Sequence, residues 1–244
     1  MNLNLATYSV IYLVFPFVWL NQIDEWTDNQ QMMINCKKTK TIIFNFTDNF
    51  KFTTRLKIKD EKIEVIESAK LLGTIISNDL KWDLNTSSIA KKANARMELL
   101  RLNPPEEDLK EIYILFIRSI LEQSATVWHS SLSEDNKNDL ERVQKTALKI
   151  ILKEKYCGYQ QGLAKLDLES LECRRENLCL NFANKCTKND KLKHMFPLNP
   201  KYHDMKTRNK EKYEVQFANT GRLQNSPITH MQRLLNADNL EKQT

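Results

Sequence analysis

Glycine and proline are scarce in this chain of 244 residues, 4 and 6 respectively, which argues against a loop-rich or low-complexity protein and favours long regular elements. No C-x-x-C pair occurs among the five cysteines, Cys36, Cys157, Cys173, Cys179 and Cys186. An odd count without that spacing points away from a disulfide framework and from a zinc ribbon, and predicts reduced thiols in an intracellular protein, nuclear or cytoplasmic. Cys179, Cys186, His194 and His203 share one stretch, but their gaps of seven, eight and nine residues do not match structural zinc spacing, so no metal is expected. No internal repeat is visible.

Basic residues are absent before Lys37, although the chain carries a net charge of +6. The uncharged apolar run "LATYSVIYLVFPFVWL", Leu5 to Leu20, therefore lacks the basic flank of a signal peptide, lacks a small-x-small cleavage site after it, and is interrupted by Pro16. A membrane is not the expected partner. A small membrane-anchored or secreted helical protein is the alternative that this run alone supports. The modest basic excess suits a phosphate-bearing partner without demonstrating one.

What the chain does contain is a change of period. "VWLNQIDEWTDNQQ" places Trp19, Ile23 and Trp26 at helical spacing, and "KTIIFNF", "RLKIKDEKIEVI" and "AKLLGTIIS" follow as three runs with partial alternation. They predict a small antiparallel sheet from about Lys40 to Ser77, with Gly73 marking a bulge or a close backbone approach inside the third run. After Trp82 the pattern is helical. One helix is expected from about Asn85 to Leu102, and a central one runs from the prolines at 104 and 105 through Leu109, Tyr113, Phe116, Ile120 and Val127. A third is capped by Ser133, and shorter ones lie near Tyr159 to Leu166 and Ser170 to Cys186. The stretch after Lys185 is polar and predicts an extended, weakly packed tail, closed by a helical piece near Ser226 to Asn236. The fold class is α+β, mostly α: a small antiparallel sheet, a helical bundle and a weakly structured C-terminal tail.

These segments, in this order, resemble the C-terminal part of the reverse transcriptases of LINE-type non-LTR retrotransposons. "MMINCKKTKTIIF" resembles the element after the active-site hairpin, with Asn35, Lys38 and Thr39 meeting its N-x-x-K-T core. "LLGTIISNDLKW" resembles the primer-grip hairpin, and "FIRSILEQSATVWHSSLSEDNKNDLERVQKTALKIIL" with "YQQGLAKLDLESLECRRENL" resembles the thumb and the segment behind it. The resemblance implies four parts: an apolar extension over 1–18, a palm-end and primer-grip-like region over 19–82, a thumb-like region over 83–188, and a C-terminal extension over 189–244. It also implies that Leu72 and Gly73 lie against a primer end, and that Lys38 matches the lysine proposed to protonate departing pyrophosphate.

The family's RNA-directed DNA polymerase chemistry depends on two divalent metals held by an aromatic-x-Asp-Asp turn. This chain has no Asp-Asp pair, and its first eighteen residues carry no carboxylate. The resemblance begins downstream of the chemistry, so no complete catalytic set, no cofactor and no small-molecule substrate are expected. The function that survives is weak binding of RNA or DNA. Its candidate residues are Arg142, Lys145, Lys149 and Lys153, spaced by three, four and four along one helix, with Arg174 and Arg175 on a later helix and Lys81 beside Trp82, an aromatic able to stack on an unpaired base. A helical interaction module without nucleic-acid function is the other reading.

Overall fold

The computed structural model describes residues 20–32, 34–46, 56–59, 61–102, 104–200 and 212–241, so nearly all of the Leu5 to Leu20 run lies outside the described residues. The chain divides into two compact units, Met1–Leu80 and Lys81–Thr244.

In the first unit, the described part of helix α1 covers residues 20–29, with Trp26 exposed and Thr27 buried. Among the described residues the strands are short and form three separate pairs rather than one antiparallel sheet. β1 (Lys40–Thr41) pairs in parallel with β4 (Glu64–Val65), while β2 (Lys57–Ile58) and β3 (Glu61–Lys62) form an antiparallel hairpin. Ile58 and Ile63 are the buried anchors of that hairpin, each 2% exposed, and Lys59 forms an ion pair with Asp28 of α1.

The third apolar run is not one bulged strand. It folds into two strands, β5 (Ser68–Leu71) and β6 (Thr74–Ser77), antiparallel and in register Leu71 with Thr74. Leu72 and Gly73 are the two turn residues, both at positive φ, 48° and 93°. A two-residue turn with both φ positive matches the right-handed twist of the strands that it joins, and glycine enters that region without steric cost. Gly73 is thus required by the turn. Leu72 adopts the same region against its own Cβ and is 90% exposed.

The second unit is a helical bundle. α2 (Asp83–Arg96) packs on α7 (Glu134–Leu152), and a short α3 (Glu98–Arg101) follows after Met97. The central element is broken rather than continuous: α4 (Glu106–Ile112) leads into a π-helical turn, Tyr113–Arg118, then α5 (Ser119–Glu122), and only after Gln123 and Ser124 does α6 (Ala125–Trp128) start. Ser124 is left-handed, φ 54°, which ends one helix and redirects the next. Tyr113, Ile117, Leu121 and Trp128, each 0% exposed, carry the buried line through these breaks.

α7 is amphipathic, with Leu140, Val143, Ala147, Leu148 and Ile151 buried, and its N-terminus is capped by the Ser133 side chain, which accepts from the Asn136 N–H. α8 (Tyr159–Lys165) and α9 (Leu171–Thr187) follow, the latter capped by Ser170. α7 anchors a buried polar network that reaches the π-helical turn, α8 and the segment before α9. Gln144, 0% exposed, accepts from the Tyr113 hydroxyl and donates to the Tyr159 hydroxyl at 3.0 Å and to the Glu169 carbonyl at 2.9 Å. Tyr159 in turn donates to Glu141.

The described part of the C-terminal stretch is more firmly packed than its polar composition predicts. α10 (Gly221–Gln224) precedes α11 (Pro227–Glu241), whose Met231 and Leu235 join Cys179, Ala183 and Cys186 of α9 and Phe196 in one apolar cluster. Asn236 binds the backbone of Tyr213 through both amide atoms, at 2.8 and 2.9 Å. A few apolar side chains at helical spacing outweigh many lysines, because charged stems tolerate exposure at little cost. This stretch belongs to the same compact unit as the thumb-like helices.

Candidate functional site

Helix α7 sets the geometry of the basic stripe. Its buried face takes the positions between Arg142, Lys145 and Lys149, so these three cations project together on the exposed side. Lys153 does not continue the row. The helix ends at Leu152, and Lys153 starts a 3-10 turn at φ 48°, exposed but on a redirected backbone. Lys145 and Lys149 lie over the rings of Tyr159 and Tyr156, 5.1 and 5.8 Å from the centroids. Each aromatic face steadies an ammonium without neutralising it. Arg142 is different: Asp139 takes its guanidinium at 2.8 Å, on a surface where such a pair is worth little and is readily exchanged.

Arg142 and Asp139 also line a cleft of about 430 Å³ between α2 and α7, together with Asp83, Ser87 and Lys91. Its charges are of mixed sign, and Asn136 donates to Asp83 at 2.7 Å across it. Such a wall offers hydrogen-bonding groups beside the cationic row. The basic spacing marks neither Lys91 nor the two tyrosines, although "KEKYCGY" places both rings next to the end of α7.

Several expected contact residues are committed elsewhere. Arg175 is 0% exposed, so it does not offer its charge to a phosphate. It occupies the buried stripe Leu171, Arg175, Cys179, Ala183, Cys186 of α9, and an arginine at an apolar spacing turns inward with its neighbours. Its Nε–H donates to Nδ1 of His129 at 3.2 Å and its guanidinium lies 5.9 Å from the Trp128 ring centroid, while Nη1 and Nη2 have no hydrogen-bond partner. Burial lowers its pKa. Arg174, one residue away and about 100° round the helix, is half-buried and grips Glu122 through two bonds of 3.1 and 3.3 Å. Arg118 approaches the same carboxylate at 3.4 Å. Trp82 is 7% exposed, buried at the start of α2, and its carbonyl receives the Thr86 N–H and hydroxyl, so its ring is not a free stacking platform. Lys81 beside it is exposed.

In the first unit, Lys38 lies in a turn organised by Asn35, whose carbonyl and side-chain oxygen accept the Lys38 N–H at 3.0 and 3.1 Å. Thr39 donates its hydroxyl to the same carbonyl at 3.0 Å. The N-x-x-K-T pattern is therefore a self-capping turn with an exposed lysine. Leu72 and Gly73 form the tip of the β5–β6 hairpin.

One grouping escaped the sequence altogether. His129 in the 3-10 turn His129–Ser131, Glu176 on α9 and His230 on α11 bring one ligand atom each within 4.8 Å of one another. The imidazole rings meet edge to face, 5.9 Å between centroids. Burial, then the charge of Arg175, pushes His129 down to about 3, and burial, then the charges of Arg233 and Lys137, lowers His230. By contrast, Cys179 and Cys186 are buried in the apolar cluster and His194 is exposed, so these three of the spaced Cys/His residues do not converge; His203 lies outside the described residues.

No family model matches the chain, and neither curated proteins nor solved structures yield a match. Among the described residues, no helix is long and apolar enough to cross a membrane.

Proposed function

We propose that the chain is a reverse-transcriptase-like fragment of LINE type, without polymerase activity, whose helical unit holds the backbone of RNA or DNA weakly along α7. The observation that supports this reading best is the exposed row Arg142, Lys145 and Lys149, set opposite the buried face of the same helix. Three cations on one face neutralise a few phosphates, which gives weak, sequence-independent, salt-sensitive binding.

The missing Asp-Asp pair removes the anchor for catalytic metals, so primed template with dNTPs and magnesium or manganese should show no extension. Fluorescence anisotropy of a labelled primer–template duplex over a salt series tests the binding. Affinity should fall steeply with ionic strength; salt-independent binding, or none, defeats the reading. The second reading, a helical interaction module, rests on Leu115 and Phe116 of the π-helical turn, 61% and 46% exposed, and is favoured if nucleic acid does not bind at all.

A further inference from the structure

We infer that His129, Glu176 and His230 form a binding site for a first-row divalent transition metal ion, of which zinc is the best fit. The donor set is two imidazoles and one carboxylate, with ligand atoms already within 4.8 Å of one another. Zinc bonds of about 2.0–2.1 Å set tetrahedral neighbours roughly 3.3 Å apart, so closing the site takes side-chain rotation of little more than an ångström. Two imidazoles with a carboxylate match zinc better than magnesium or calcium, which take oxygen donors.

The second observation is the state of the histidines. His230 Nε2 is buried and has no hydrogen-bond partner, an arrangement that costs stability unless something accepts or binds there. His129 is 3% exposed and His230 half-buried, while Glu176 is exposed and gives the ion an entry from solvent and a side open to water as fourth ligand. Each ligand comes from a different element, so the ion would tie α11 and the turn after α6 to α9.

Arg175 sets the limit on affinity. Coordination through His129 Nε2 leaves the ring proton on Nδ1, where the Arg175 Nε–H now points at 3.2 Å. Metal binding therefore turns Arg175 aside, toward Glu141 and Glu172, whose charges already act on it. That displacement, with the positive charges of Arg233 and Lys137 acting on His230, weakens the binding of a cation here.

The test uses the full chain stripped with a chelator and titrated with cobalt(II) and zinc chloride. One equivalent of cobalt should give the visible absorption of a four- or five-coordinate nitrogen and oxygen site, without thiolate charge-transfer bands, and zinc should displace it. His230→Gln should abolish uptake and Glu176→Gln should weaken it at least tenfold, each with an unchanged circular-dichroism spectrum. No cobalt spectrum with the unaltered chain overturns the assignment, as do thiolate bands, which would place the ion on cysteine, or uptake unchanged in both variants. Where a variant fails to fold, the unaltered chain's cobalt spectrum decides alone.

Discussion

Replacing Gln144 by leucine probes the buried network that joins three parts of the helical unit. Gln144 is 0% exposed and makes three hydrogen bonds, accepting from Tyr113 and donating to Tyr159 and Glu169. Leucine fills similar space and makes none. The Tyr113 hydroxyl, on a residue 0% exposed, is then stranded, at a cost of about 1–3 kcal/mol. The Glu169 carbonyl belongs to an exposed residue and recovers part of its loss from water, and Tyr159 keeps Glu141. The sum is about 2–4 kcal/mol, a fall in melting temperature of roughly 10 °C for a unit of this length. Tyr113→Phe alone strands the Gln144 carbonyl oxygen and costs about 1–2 kcal/mol. The double variant has no stranded group on that axis and should be more stable than the sum of the singles by at least about 1 kcal/mol. Urea denaturation of the four proteins measures the cycle. Additivity within about 0.5 kcal/mol, or a Gln144→Leu cost under about 1 kcal/mol, refutes the network.

The same network has a pH signature. Burial raises the pKa of both Tyr113 and Tyr159, so the folded state favours the neutral phenols; their contribution is full below the usual tyrosine pKa of 10.0 and is lost as pH rises beyond it. Urea midpoints between about pH 9 and about pH 11 should fall, and the fall should be shallower in Tyr113→Phe; parallel curves would contradict this. At the β5–β6 turn, Leu72→Asn, giving Asn-Gly at two positive-φ positions, should slow amide exchange in the hairpin by the equivalent of about 0.5–1 kcal/mol. Faster exchange of the Thr74 amide would mean that Leu72 makes a contact worth more than its strain.

Much of the helical unit could be read directly. Ser133 caps where its side chain and the following acidic residues indicate, α9 starts at the boundary expected near Ser170, and the α7 apolar spacing is what lies buried. Breaks were harder to see. The left-handed Ser124 and the π turn before it carry no glycine or proline, the usual marks of interruption, and owe their geometry to packing. Gly73 showed that the backbone was special but not how, because a two-residue turn and a bulge both call for positive φ. Arg175 is masked by its neighbour: two adjacent arginines suggest a charged face, whereas the four-residue spacing from Leu171 and Cys179 puts it inside. His129, Glu176 and His230 come from three elements, and their convergence depends on where α11 packs, which no local pattern specifies.

The most direct measurement is the salt dependence of duplex binding by Lys145→Gln with Lys149→Gln, beside a control carrying Lys185→Gln and Lys188→Gln. All four lysines are exposed, and glutamine is nearly as good a helix former, so the two proteins differ in where charge is lost rather than in how much. If α7 contacts the backbone, the α7 pair should lower the log–log slope by about two units and the control should leave it nearly unchanged. Equal slopes in the two variants would contradict a nucleic-acid interface on α7.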